Sequence, residues 1–162
     1  MLIKVEKYTN EEVMRMACNF TFNGTSSMSL EKIYKCEHSP IRTQRFYVMM
    51  CDIPSFVSVH FVRHKVGVEH FVLSKRADRG GDGTEDRNTP VNHLMDCNAQ
   101  ALINMARKRL CNKASKETQA VMERIRHKVD IVDPALSLFM VPECEYRNGY
   151  CPELRPCGRY LK

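Results

Sequence analysis

The sequence predicts an α+β domain: a small mixed or antiparallel sheet packed with a helical half. Three observations predict it. The chain opens on an alternating stretch, Met1-Leu2-Ile3-Lys4-Val5-Glu6-Lys7, the period of a half-buried strand. Two further apolar, β-branched or aromatic runs follow, Arg45 to Cys51 and Val68 to Leu73. From Asn92 onward the apolar residues recur at helical spacing instead.

Taken in order, Thr9-Asn10-Glu11-Glu12 has the form of a capping box, with a hydroxyl followed three residues later by a carboxylate. Val13, Met16, Ala17 and Phe20 then predict the buried face of a first helix, which Asn23-Gly24-Thr25-Ser26-Ser27 breaks. A short helix is expected over Leu30 to Lys35, then a loop at Glu37-His38-Ser39-Pro40. After the strand to Cys51, Pro54 suits the first turn of a helix, where its missing N–H is not needed. That helix carries Val57, Phe61 and His64 on one face and ends at Gly67. Glu69-His70 interrupt the next strand. Arg79 to Asp86 is a polar, Gly-rich connector without the Gly-Lys-Ser/Thr of a phosphate loop. Ala99, Leu102, Ile103, Ala106 and Leu110 mark one helix, and Val121, Met122, Ile125 and Val129 mark another over Lys116 to Lys128. Asp133-Pro134 is a break, and Leu136 to Val141 is apolar. These signals divide the chain into a domain over residues 1–141 and a Cys-, Gly- and Pro-rich tail over 142–162.

Composition narrows the classes of function. The formal charge of +6 favours an anionic partner, and two readings stay open: a nucleotide site or a solvated basic surface. No apolar run is long enough for a bilayer, so no membrane role is expected. The start lacks the long apolar centre of a signal peptide, which places the expected location in the cytoplasm. With no Trp and 8% aromatics, stacking platforms for nucleic acid are not advertised. The eight Cys then read as reduced thiols, a metal site or both. Cys144, Cys151 and Cys157 are weak zinc candidates, with Cys111 or a His as fourth ligand; no Cys-x-x-Cys is present.

Two segments carry chemistry. The first is Phe61-Val62-Arg63-His64-Lys65, followed by Ser74-Lys75-Arg76. Clustered cations at a helix end can hold a diphosphate, and a hydroxyl with a guanidinium can fork onto a phosphate. The second runs from Asn98 to Leu110 and continues as Ala114-Ser115-Lys116-Glu117. Asn98, Asn104 and Arg109 are expected along one stripe of its helix, although an ordinary amphipathic helix would look much the same.

Together these segments resemble the flavin-dependent thymidylate synthases. That family's signature runs Arg-His-Arg, two residues, Ser, one residue, Asn-Glu, one residue, Ser, one residue, Arg-Tyr. Arg63 and His64 match it, Lys65 replaces the third basic residue, and Ser74 and Arg76 match the closing Ser-x-Arg with one residue inserted. The second segment is similar to the family's C-terminal helix pair. A third, weaker match is Glu37-His38-Ser39-Pro40, with His38 shifted by one. The resemblance spans roughly residues 10 to 140, discontinuously. It departs at Val68 to Val72, where the family has Ser and Asn-Glu, at Ala77 in place of Tyr, and in a long helical insertion here reduced to the Gly-rich loop.

The resemblance implies the family's small sheet packed with a helical half, and FAD held by His38, Arg63, His64, Lys65, Asn98 and Asn104. It further implies a dUMP-like nucleotide held by Ser74, Arg76 and Arg109, with Arg109 polarising the uracil ring. Methylenetetrahydrofolate would supply the carbon and NADPH the reducing equivalents, in a homotetramer or dimer with sites between subunits. Two other functions stay open: a nucleotide- or flavin-binding homologue without turnover, acting as sensor or decoy, and a zinc-stabilised nucleic-acid module built on Arg107-Lys108-Arg109 and the Cys tail.

Overall fold

The computed structural model describes residues 1–21, 25, 27–83 and 86–159. Asn23, Gly24 and Ser26 of the expected break, and Thr84 and Glu85 of the Gly-rich connector, lie outside the described residues. Four antiparallel strands form one sheet in the order β1-β2-β4-β3: β1 Leu2–Lys7, β2 Arg45–Pro54, β3 Val68–Val72 and β4 Pro90–Asn98. The expected α+β sheet is thus antiparallel throughout. Its helices are α1 Glu11–Phe20, α2 Leu30–Cys36, α3 Ser55–Val62, α4 Ala99–Arg109, α5 Lys116–Val132, α6 Pro134–Ser137 and α7 Glu143–Tyr146.

One strand was hidden in the sequence. Residues 92–98 read as the start of the helical half, yet Pro90–Asn98 is β4, one of the two inner strands. Period two wins there: Val91, His93, Met95 and Cys97 point inward and are buried, while Asn92, Leu94 and Asp96 alternate outward. On β2, Phe46, Val48, Met50 and Ile53 do the same, and α3, α4 and α5 pack on this side. The other face carries Lys4, Met49, Leu94 and Phe71 in one cross-strand row. No helix among the described residues is long and apolar enough to cross a membrane.

Helix α1 corrects two expectations. Its N-cap is Asn10, whose Oδ1 accepts from Val13 N at 3.2 Å; Thr9 Oγ1 instead accepts from Arg45 N at 2.8 Å. The buried stripe is Met14 and Cys18, and Val13, Met16 and Phe20 face outward. Helix α3 also ends earlier than expected, at Val62, so His64 lies beyond it in the loop to β3. The expected helices at Leu30, Lys116 and the break at Asp133-Pro134 are in place, and Val121, Met122, Ile125 and Val129 are buried.

Asp133 ties the two ends of the domain together. Its buried carboxylate accepts from Lys7 Nζ at 2.7 Å and Tyr34 Oη at 2.6 Å, and caps α6 through Leu136 N at 3.1 Å. Burial, then the hydrogen bond to Asp133, pushes the Tyr34 hydroxyl above its ordinary pKa, so it remains a donor. Removing the carboxylate leaves a largely buried ammonium and a buried hydroxyl unpaired. Asp133→Ala should therefore lower stability by about 3–5 kcal/mol, and Tyr34→Phe by about 1–3 kcal/mol. Urea unfolding of both variants checks this.

Candidate nucleotide and cofactor site

The site is assembled where the α3–β3 loop meets α4. Gly67 turns that loop at φ +74, and a Cβ there would lie 2.5 Å from the Asn98 side-chain amide. Only glycine permits both the left-handed backbone and the close approach. Gly67 O then accepts from Asn98 N at 2.9 Å, while Asn98 Oδ1 accepts from Ala101 N at 2.9 Å and caps α4. Asn98 is buried, so here it is the joint on which the site is built.

At the far end of α4, Arg109 Nε donates to His64 Nε2 at 2.9 Å. Two sequence segments forty-five residues apart are thereby in direct contact. Burial, then the charge of Arg109, with His70 and Lys108 adding to it, lowers the His64 pKa to about 4. His64 is therefore a neutral acceptor at physiological pH. Burial, then Arg63, lowers the Arg109 pKa from its ordinary value, but a guanidinium stays charged. Among the described residues no carboxylate pairs with Arg63, Arg87 or Arg109. Arg63 and Arg87 are exposed, but Arg109 is half-buried, and a half-buried cation without a counter-ion favours an arriving anion.

Arg63 and Arg87 share a recess of about 340 Å³ with Phe56, Val59, His60 and Asp86. Arg87 lies over the Phe56 ring, 4.5 Å from its centroid. The pKa of His60 in this recess is lowered by burial first and then by the charges of Arg109, Arg63 and Arg87, so all three guanidiniums act electrostatically on His60. Lys65 is exposed.

A second group lies along α4. Gln100 Nε2 donates to Glu37 Oε2 at 2.6 Å and to Asn104 Oδ1 at 3.3 Å; Arg107 pairs with Glu37 and donates to Asn104 Oδ1 at 3.4 Å. Arg107 also stacks on Tyr146 of α7, 3.6 Å from the ring centroid. Glu37, in the left-handed region at φ 50, directs the chain into His38. His38 and Ser39 border a cavity of about 670 Å³ whose apolar lining includes Cys18, Met28, Ile33 and Pro40.

The expected single stripe of Asn98, Asn104 and Arg109 is corrected by this geometry. Asn98 precedes the helix, and residues five apart stand about 140° apart around a helix axis. Asn104 accordingly meets Gln100 and Arg107, and Arg109 meets His64. Ser74 and Arg76 lie beyond β3: Ser74 Oγ accepts from Arg76 N at 3.3 Å, and Arg76 forks onto Asp78 at 2.9 and 2.8 Å. No hydrogen bond or ion pair joins them to the Arg109 corner among the described residues. The zinc candidates are not gathered either. Cys144 is the buried residue of α7, Cys151 and Cys157 sit in the loops beyond, and no group of three metal-ligating side chains occurs among the described residues.

Sequence reasoning missed Glu37, Gln100 and Arg107 as one cluster, and it missed His70 and His93. The signal for the histidines was present: each occupies an inward position of an alternating strand.

Compared by sequence, the chain matches no protein-family model and no curated protein. Compared by structure, it is similar to thymidylate synthase X (ThyX) of Helicobacter pylori with FAD and dUMP, at TM-score 0.67 and 13% identity over 88% of this chain and 99% of that one. Another structure of the flavin-dependent ThyX of Helicobacter pylori, complexed with FAD and dUMP, gives 0.70 and 12% over 87% and 100%. The UMP/dUMP methylase PolB of Streptomyces cacaoi, bound with 5-Br dUMP, gives 0.65 and 12% over 85% and 94%. The chain has the fold of the flavin-dependent thymidylate synthases.

The neutral histidines make stability depend on pH. Burial, then His70, lowers the His93 pKa to about 4, as burial and Arg109 do for His64. Both folded values lie below the ordinary 6.5, so the unfolded chain binds more protons in that interval. Their contribution is whole above about pH 6.5 and is lost as pH falls toward about 4. The urea midpoint should fall steadily between those values, and His93→Gln should flatten the slope.

Proposed function

We propose that the chain is a flavin-dependent one-carbon transferase that methylates a uracil deoxynucleotide, converting dUMP to dTMP with methylenetetrahydrofolate and NADPH. One observation supports this reading most: the Arg109–His64 hydrogen bond joins the two segments that resemble the family, in a chain with the family's fold. The residues present suit FAD. The cavity at His38 has the size and apolar lining of a cofactor pocket. The unpaired Arg63, with Lys65 and Arg87, offers a diphosphate fixed cations.

FAD, when bound, supplies the redox chemistry of methyl formation. This chain's residues orient and polarise. Arg109, with Nε held by His64, has both Nη groups left for the uracil carbonyl or the nucleotide phosphate. Asn104 keeps its Nδ2 for the flavin, because Gln100 and Arg107 engage only its Oδ1. Asn98 serves the site through its capped backbone. Ser74 and Arg76 would hold the phosphate of a nucleotide in a neighbouring subunit's site. The outward apolar stripe of α1, Val13, Met16 and Phe20, supports a homo-oligomer.

A second reading, binding without turnover, has one observation in its favour: Arg76 already forks onto Asp78. Two measurements decide. Purified protein should be yellow or bind added FAD, and Arg63→Ala should weaken FAD by about tenfold or more, the worth of one charge-assisted contact. Protein that binds no FAD defeats both readings. Rescue of a thymidine-requiring bacterium supports the enzyme; FAD binding with no rescue favours the binding protein.

A further inference from the structure

A line of hydrogen bonds crosses the core behind Arg109. Ser58 Oγ lies 3.0 Å from His93 Nδ1, His93 Nε2 lies 2.9 Å from His70 Nδ1, and His70 Nε2 lies 2.7 Å from His64 O. The groups come from α3, β4, β3 and the α3–β3 loop, and Ser58 and His93 are buried. His70 stands in the stretch where the thymidylate synthase signature is missing from this chain.

The ends of the line fix its direction. A backbone carbonyl only accepts, so His70 Nε2 carries a proton. With neutral rings, His70 Nδ1 then accepts from His93 Nε2–H, and His93 Nδ1 accepts from the Ser58 hydroxyl. A guanidinium only donates, so His64 Nε2 is bare and its proton sits on Nδ1. One set of tautomers satisfies every hydrogen bond of the line and the Arg109–His64 bond. The charged and titratable groups facing His64 are Arg109 and Lys108 from α4 and His70 from β3, with Arg63 beside Arg109; His93 is faced by His70.

We propose that Ser58, His93 and His70 are positioning residues: they lock the backbone at His64 so that its ring takes Arg109 Nε and aims the two Nη groups at an anionic ligand. None of the three touches that ligand. The inference rests on the proposed function for the identity of the ligand, a uracil nucleotide, but not for the line itself.

The test is side-chain NMR of the ligand-free protein together with dUMP titration. A hydrogen-bonded Arg109 Nε–H should exchange slowly at pH 7 and lose its protection as pH falls toward about 4. His70→Leu removes both links and should abolish the slow Nε–H signal and weaken dUMP about tenfold. His70→Gln, whose amide can donate to His64 O and accept from His93, should restore both. An unchanged Nε–H signal in folded His70→Leu overturns the inference. Should that variant not fold, Ser58→Ala takes its place, read by the same signal: faster Arg109 Nε–H exchange supports the line, and an unchanged rate overturns it. If the wild type binds no dUMP, the proposed function fails while the Arg109 signal still decides on the line.

Discussion

The site depends on one junction, the backbone of Asn98. Asn98 N donates to Gly67 O, Ala99 N donates to Gln44 O, and the Asn98 side chain caps α4. The start of β2, the loop into β3 and the first turn of α4 therefore meet at two consecutive residues. Gly67 makes this possible, since any Cβ would collide with the Asn98 amide. Because the loop is fixed here, His64 is delivered to the far end of the same helix. Because the helix is capped here, its last turn presents Arg109 in a constant place. The family resemblance treats Asn98 as a cofactor ligand; in this chain its Oδ1 caps α4.

Much of the architecture was legible because periodicity reports burial. The inward residues of α4 and α5, Leu102, Ile103, Met122 and Ile125, follow the helical period and are buried. The failures have physical causes. Helix α1 has apolar residues on two faces, and the sequence cannot say which one the domain buries; Met14 and Cys18 won over Val13, Met16 and Phe20. Strand β4 alternates, but one of its inward residues, His93, does not read as hydrophobic, and the helical pattern just beyond masks it. His93 is buried because neighbouring strands and α3 supply its hydrogen bonds, which no local signal reveals.

The same contrast holds for the site. Arg63, His64 and Arg109 were legible through motif, and the fold brings them together. The stripe of Asn98, Asn104 and Arg109 was read from spacing alone and divides into a cap, a cluster and a corner. Glu37, Gln100 and Arg107 form that cluster through contacts sixty or more residues apart in sequence, beyond any periodicity. The result is an electrostatically lopsided surface. Arg107 is neutralised by Glu37, whereas Arg63, Arg87 and Arg109 form no ion pair among the described residues. A ligand carrying phosphate at one end and a flat ring at the other would complement such a surface.

The most direct test is hydrogen–deuterium exchange with FAD and dUMP added together. Protection concentrated at residues 36–40, 63–67 and 98–109 is the predicted result. No change in those segments, or protection confined to the Cys-rich tail, would contradict the account.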